Sequence, residues 1–139
     1  MDIFRSNKAL GLGYEHPADV TDETIDAYLR PFLSSPQRVR ALEEFCEAAL
    51  NCETMIRIDS MLCDLHVPTL IAWATGDVLF DIKWSQWLSK AIPGARGRVQ
   101  FKGAKLYFPE ERWDDFNKEL RNYWATISMQ ALAMWARIP

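Results

Sequence analysis

The run Leu70-Ile71-Ala72-Trp73-Ala74 is apolar on both of its alternating sets of side chains, with Thr69 and Pro68 before it and Gly76 after it. A strand that presents nothing polar to either side predicts a place in a sheet covered on both faces, as in parallel α/β sheets. Parallel neighbours cannot be joined by a tight turn. They need a crossover, usually a helix. One follows: Lys83–Ala91 carries Trp84, Trp87, Leu88 and Ala91 on one helical side, and Pro93-Gly94 stops it. A second short strand is predicted over 97–102, where Val99 and Phe101 alternate with Arg98 and Gln100. Glu110–Trp124 then reads as a long amphipathic helix. Trp113, Phe116, Leu120 and Trp124 face inward, and Glu110 and Glu111 suit the positive N-terminal end.

The N-terminal half reads differently. Gly11, Gly13 and Pro17 punctuate an irregular stretch over residues 1–20. Thr21 has the character of an N-cap for a helix that places Ile25, Tyr28 and Leu29 together. Pro31 is expected to end that helix, because the residue before a proline is pushed out of the α region. Ser35-Pro36 starts a second helix, running to about residue 50, whose common face holds Val39, Leu42, Phe45, Cys46 and Ala49. A third, over about 54–64, groups Ile58, Met61 and Leu62. At the other end, Ile127, Ala131, Met134, Trp135 and Ile138 share one helical face, so the last helix is expected to continue into the tail 125–139. Such an apolar stripe needs a surface to cover it.

With 139 residues, 49% of them apolar, the chain has the composition of one globular domain. Its net charge of −3, both signs interspersed, offers no footprint for nucleic acid or an anionic membrane. Cys46, Cys52 and Cys63 have neither metal-like nor redox spacing, and an odd count argues against a secreted disulfide framework. They are expected as buried thiols of a cytoplasmic protein. The N-terminus lacks the long apolar run of a signal peptide, and no stretch reaches the roughly 18 apolar residues of a membrane span. No Walker loop, dinucleotide fingerprint or metal-ligand cluster appears, so no cofactor and no metal is expected.

The wording of residues 67–124 carries more than its pattern. Val67-Pro68-Thr69-Leu70-Ile71-Ala72-Trp73-Ala74-Thr75-Gly76-Asp77 is followed by Ile92-Pro93-Gly94-Ala95 and by Gly103-Ala104-Lys105-Leu106-Tyr107-Phe108-Pro109-Glu110-Glu111. This order resembles the C-terminal part of α/β-hydrolases of the haloalkane-dehalogenase and epoxide-hydrolase-like kind. The stretch from Tyr14-Glu15-His16-Pro17 through Asp26–Phe32 is similar to the cap helices that such enzymes insert before the acid-bearing strand. The resemblance spans about residues 10–124.

It implies specific roles. In that family a Trp-Gly-x-x-Asp turn sets a carboxylate at the strand end, where it orients the catalytic imidazole. The matching residues are Trp73-Ala74-Thr75-Gly76-Asp77, with Ala74 in place of the first glycine. Asp77 thus stands at the acid position; the other reading is a loop Asp that satisfies turn amides. The family's base is a His after the last strand, in Gly-x-x-His followed by an aromatic residue. The segment Gly103-Ala104-Lys105-Leu106-Tyr107 puts Leu106 there, and leucine cannot move a proton. His16 lies in the irregular N-terminal stretch. His66 precedes the strand, roughly 20 Å from Asp77 at about 3.3 Å per residue. No Gly-x-Ser-x-Gly elbow occurs, and the oxyanion-hole segment of the fold is missing too. Trp84, Trp87 and Trp113 could line a substrate cavity, but at helical spacing they read as core. Lys83 and Lys105 are candidate neighbours of Asp77.

The expectation is therefore an α/β chain, mostly helical with a small parallel sheet: a partial α/β-hydrolase fold of cap helices plus the last two strand–helix units. Residues 1–66 form the N-terminal segment and cap-like helices, 67–124 the strand–helix units and 125–139 an apolar helical tail, in one domain overall. The implied function is that of a truncated pseudoenzyme, an interaction or structural module without its own catalysis, found as a homo-oligomer. The alternative is the C-terminal part of an ester, epoxide or haloalkane hydrolase completed by a complementary chain. No nucleic acid and no membrane span are expected.

Overall fold

Thr69–Ala74 forms strand β1 and Ala95–Phe101 strand β2 in a computed structural model that describes residues 5–6, 10–49 and 51–135. Among the described residues these two strands make one parallel sheet, and the rest is mostly helical. The elements preceding β1 are the helices α1 (Asp22–Leu33), α2 (Pro36–Ala49) and α3 (Cys52–Leu62). Helix α4 (Lys83–Ala91) connects the strands, and α5 (Phe108–Glu111) and α6 (Trp113–Trp135) follow. The chain divides into two compact units, Met1–Leu12 with His16–Asp64 and Gly13–Glu15 with Leu65–Pro139.

In the first unit each helix start has a chemical cause. Thr21 Oγ1 accepts from the amide of Thr24 at 3.1 Å, capping α1. Ser35 Oγ accepts from Arg38 N at 3.3 Å at the head of α2, where Pro36 sits without needing a hydrogen-bonded N–H. Asn51 Oδ1 accepts from Glu53 and Thr54 and starts α3 at Cys52, ahead of the expected residue 54. The stretch expected to be irregular contains two short 3-10 turns, Leu10–Gly13 and Pro17–Asp19.

Pro31 does not end α1. The helix runs through it to Leu33. Proline removes one bond in the last turn only, and its carbonyl is occupied by Ser34 Oγ at 3.2 Å and Arg38 Nη1 at 2.9 Å. The preceding residue is held in the helix by the Arg30–Asp26 ion pair one turn back. Ile25 is buried, while Tyr28, Phe45, Ile58 and Met61 are exposed, so the predicted apolar faces form with little to cover them. Cys46, Cys52 and Cys63 are free thiols and exposed rather than buried: Cys46 rides on the open face of α2, and Cys52 and Cys63 stand at the two ends of α3.

The second unit is built on β1 and β2. Thr69 pairs with Ala95, a one-residue bulge skips Arg96, and from Leu70↔Gly97 to Ala74↔Phe101 the register is regular. Strand β2 starts two residues before the expected Gly97, since the backbone of Ala95 already pairs. Ala74, Phe101, Ala104 and Phe108 form the core, with Ala72, Val99 and Phe116 against it. Phe101 stacks on Phe108 at 4.5 Å, and Phe116 meets Phe108 edge-on at 5.7 Å. Ser85 is fully buried and is satisfied by donating to Ile82 O and accepting from Arg98.

Three expectations fail here. β1 is only partly covered: Ile71 and Ala74 are buried and the rest half-buried. Trp84, Trp87, Trp113 and Trp124 are 48%, 39%, 57% and 58% exposed, not core. Helical spacing places them on apolar faces, but a sheet of two strands is too narrow to cover those faces. The expected helix over 110–124 is two helices that change direction at Arg112, whose φ of −119° and ψ of 41° leave the helical region. The second of them continues into the tail as far as Trp135. The side chains of Ala131, Met134 and Trp135, and all of Ile138, lie outside the described residues. Among the described residues no helix is long and apolar enough to cross a membrane.

Candidate functional site

In open parallel sheets, crevices form beyond the carboxyl ends of the strands, where the connecting loops diverge. Here the loops after β1 and β2 are stitched to each other. Thr75 N donates to Phe101 O at 3.0 Å, Gly76 N to Ala104 O at 2.8 Å, and Gly103 N to Thr75 Oγ1 at 2.8 Å. This close approach requires glycine at 76, where a Cβ would stand 2.6 Å from the Gly103 carbonyl oxygen. Gly103 itself has φ +74°, a left-handed conformation suited to glycine.

The stitched loops bring Asp77 and Leu106 to the lining of one cavity. A cavity of about 300 Å³ is lined by Ala72, Trp73, Ala74, Asp77, Phe80, Leu106 and Phe108. Asp77 Oδ1 accepts from the amides of Leu79 at 2.7 Å and Phe80 at 3.2 Å, which fixes the turn after β1. Trp73 Nε1 donates to Phe80 O at 3.1 Å, holding the far end of that turn. Leu106 reaches the cavity from the loop after β2, and the adjacent Tyr107 ring lies 2.7 Å from where a Cβ on Gly13 would stand. The other lining residues are hydrocarbon or aromatic, so Asp77 is the one ionisable side chain among them.

The arrangement can hold an apolar body and present one carboxylate. Leu106 adds only hydrocarbon to the lining and can neither give nor take a proton. Lys83 pairs with Asp81 at 3.6 Å, and neither it nor Lys105 lines the cavity. Trp84, Trp87 and Trp113 do not line it either. Phe80 and Phe108 do, and sequence reasoning missed them: Phe80 sits in a turn with no periodicity to give it a face, and Phe108 was read only as part of a motif. Among the described residues no group of His, Cys, Asp and Glu could hold a metal ion.

A second ordered feature lies beside α5. Gly13–Glu15 forms a strap in which Tyr107 N donates to Gly13 O at 2.9 Å and Tyr14 stacks on Tyr107 at 4.4 Å. Tyr14 Oη donates to Glu110 Oε2 at 2.9 Å, and Glu15 N to Glu111 Oε2 at 2.8 Å. Burial, and secondarily the Glu110 charge, push the Tyr107 phenol above its usual pKa. The hydrogen bonds that Arg112 donates to Glu15 hold its guanidinium above its already high value.

The chain matches no family model, no curated protein and no solved structure.

Proposed function

We propose that this chain is an α/β-hydrolase-like module with no catalysis of its own, a pseudoenzyme that works by association, as a homodimer in the cytoplasm. In this reading α1–α3 stand for cap helices, and β1, α4, β2 and α6 for the last strand–helix units. The observation that carries it is the cavity whose lining includes both Asp77, matched to the family's acid position, and Leu106, matched to its base position. An acid that orients a base has nothing to orient when the base is a leucine. Three free thiols support a reducing compartment. The broadly exposed indoles of α4 and α6 support a surface that is covered in the working state.

A second reading has a specific observation behind it. Among the described residues β1 pairs with β2 alone, so another chain could add strands beside it and supply nucleophile, oxyanion donors and base. The product would be an ester, epoxide or haloalkane hydrolase. Purified alone, the chain should hydrolyse p-nitrophenyl esters no faster than buffer. Saturable turnover that disappears in Asp77→Asn would overturn the non-catalytic reading.

A further inference from the structure

We propose that the Asp77 cavity is a binding site for a small organic cation, an ammonium group carried on a compact aryl or alkyl body. The inference rests on the same cavity as the preceding reading, but on its lining chemistry and not on association or on lost catalysis.

The lining selects by what it lacks and by what it offers. Asp77 spends Oδ1 on the amides of Leu79 and Phe80, while Oδ2 takes no hydrogen bond among the described residues. Asp77 forms no ion pair among the described residues, and Lys83 pairs with Asp81. The one side-chain donor in the wall, the Trp73 indole N–H, is committed to the Phe80 carbonyl. The remaining lining side chains, Ala72, Ala74, Phe80, Leu106 and Phe108, have no N–H or O–H. An anion, or a ligand bound through a carbonyl or ether oxygen, thus meets a carboxylate and no side-chain donor. A cation meets an unpaired carboxylate oxygen in a lining that includes the aromatic rings of Trp73 and Phe80, and aromatic faces attract positive charge. The volume of about 300 Å³ is at the small end for ligand pockets, which limits the body to one ring or a short branched chain.

The test is a chemical-shift titration of the full ¹⁵N-labelled chain with benzylammonium and with benzyl alcohol, its uncharged near-isostere. Benzylammonium should shift the Leu79 and Phe80 amides and the Trp73 indole N–H, with a Kd at least about tenfold below that of benzyl alcohol. Asp77→Asn keeps an oxygen for the turn amides and should reduce that preference to within about twofold. Leu106→Trp, which fills the cavity, should weaken both ligands together. Equal affinity for the two ligands, benzylammonium binding undiminished in Asp77→Asn, or shifts confined to other parts of the chain would each overturn the proposal. A chain that binds benzylammonium selectively yet stays monomeric sinks the association reading alone. One that dimerises yet binds both ligands equally sinks this inference alone.

Discussion

Glu15 and Arg112, 97 residues apart, meet as a two-pronged carboxylate–guanidinium pair in which Arg112 Nε donates to Oε1 at 2.7 Å and Nη2 to Oε2. Arg112 also donates from Nη1 to Lys102 O at 3.1 Å, so one side chain ties the strap, the loop after β2 and the break between α5 and α6. The carboxylate side chain is 14% exposed and the guanidinium 32%, enough shielding for the pair to matter more than a surface contact. Arg112→Ala should lower unfolding stability by about 1–3 kcal/mol, measured by urea denaturation. Arg112→Lys should recover less than half of the loss, because an ammonium cannot reproduce the fork. Full recovery by lysine would mean that charge alone holds the strap.

The stitched loops make a prediction about two glycines. Gly76→Ala puts a methyl against backbone, not against a movable side chain, and should cost about 1–3 kcal/mol. Gly103→Ala has open space but a left-handed φ, and should cost about 1–2 kcal/mol. The difference lies in the cavity: only Gly76→Ala should perturb the Leu79 and Phe80 amide resonances, since it pries the two loops apart.

Tyr107 and Tyr123 both have phenols held above the ordinary value by burial, Glu110 adding to it at Tyr107 and Arg96 opposing it at Tyr123. A pKa raised by folding contributes stability that is complete below the unfolded value of about 10 and is lost as pH rises through the folded value. Unfolding free energy should therefore be flat from neutral pH to about 9 and fall beyond about 10. Tyr107→Phe should flatten part of that fall. The Tyr123 hydroxyl is buried without a hydrogen-bond partner among the described residues. Tyr123→Phe should raise stability at neutral pH by about 1 kcal/mol. A loss of stability in that variant would show that the hydroxyl is satisfied.

The sheet was readable in the chain because its punctuation is strong. Pro68 and Gly76 bracket β1 at Thr69–Ala74, and Pro93-Gly94 closes α4 after Ala91. Both elements are found where expected. Apolar faces were also readable, but not their fate, since periodicity puts Trp84 and Trp113 on a face without saying whether anything packs there. The strap was invisible. It depends on Tyr14 and Glu15 meeting Glu110 and Arg112, and no local rule links residues so far apart. Pro31 misled because a proline penalty in the last helical turn is small beside what the surrounding bonds supply. Of the residues that line the cavity, Asp77 and Leu106 are singled out by the sequence, and Phe80 is not.

Leu106→His would place an imidazole at a position that lines the same cavity as Asp77. It should leave p-nitrophenyl ester hydrolysis at the buffer rate, because a base acts only on a nucleophile within hydrogen-bond reach, and the lining holds no Ser, Cys or second carboxylate. A rate rise of tenfold or more in this variant would reveal a nucleophile elsewhere in the chain.

The claim that the chain works by association is tested most directly by its mass in solution. β1 has one strand neighbour among the described residues, and a row of unpaired backbone groups beside half-buried apolar side chains favours pairing with another chain. Closed twofold dimers are the commonest outcome of such pairing. Size-exclusion chromatography with multi-angle light scattering at micromolar concentration should give twice the 16.1 kDa chain mass. A mass of 16.1 kDa together with a cooperative thermal melt would contradict the account.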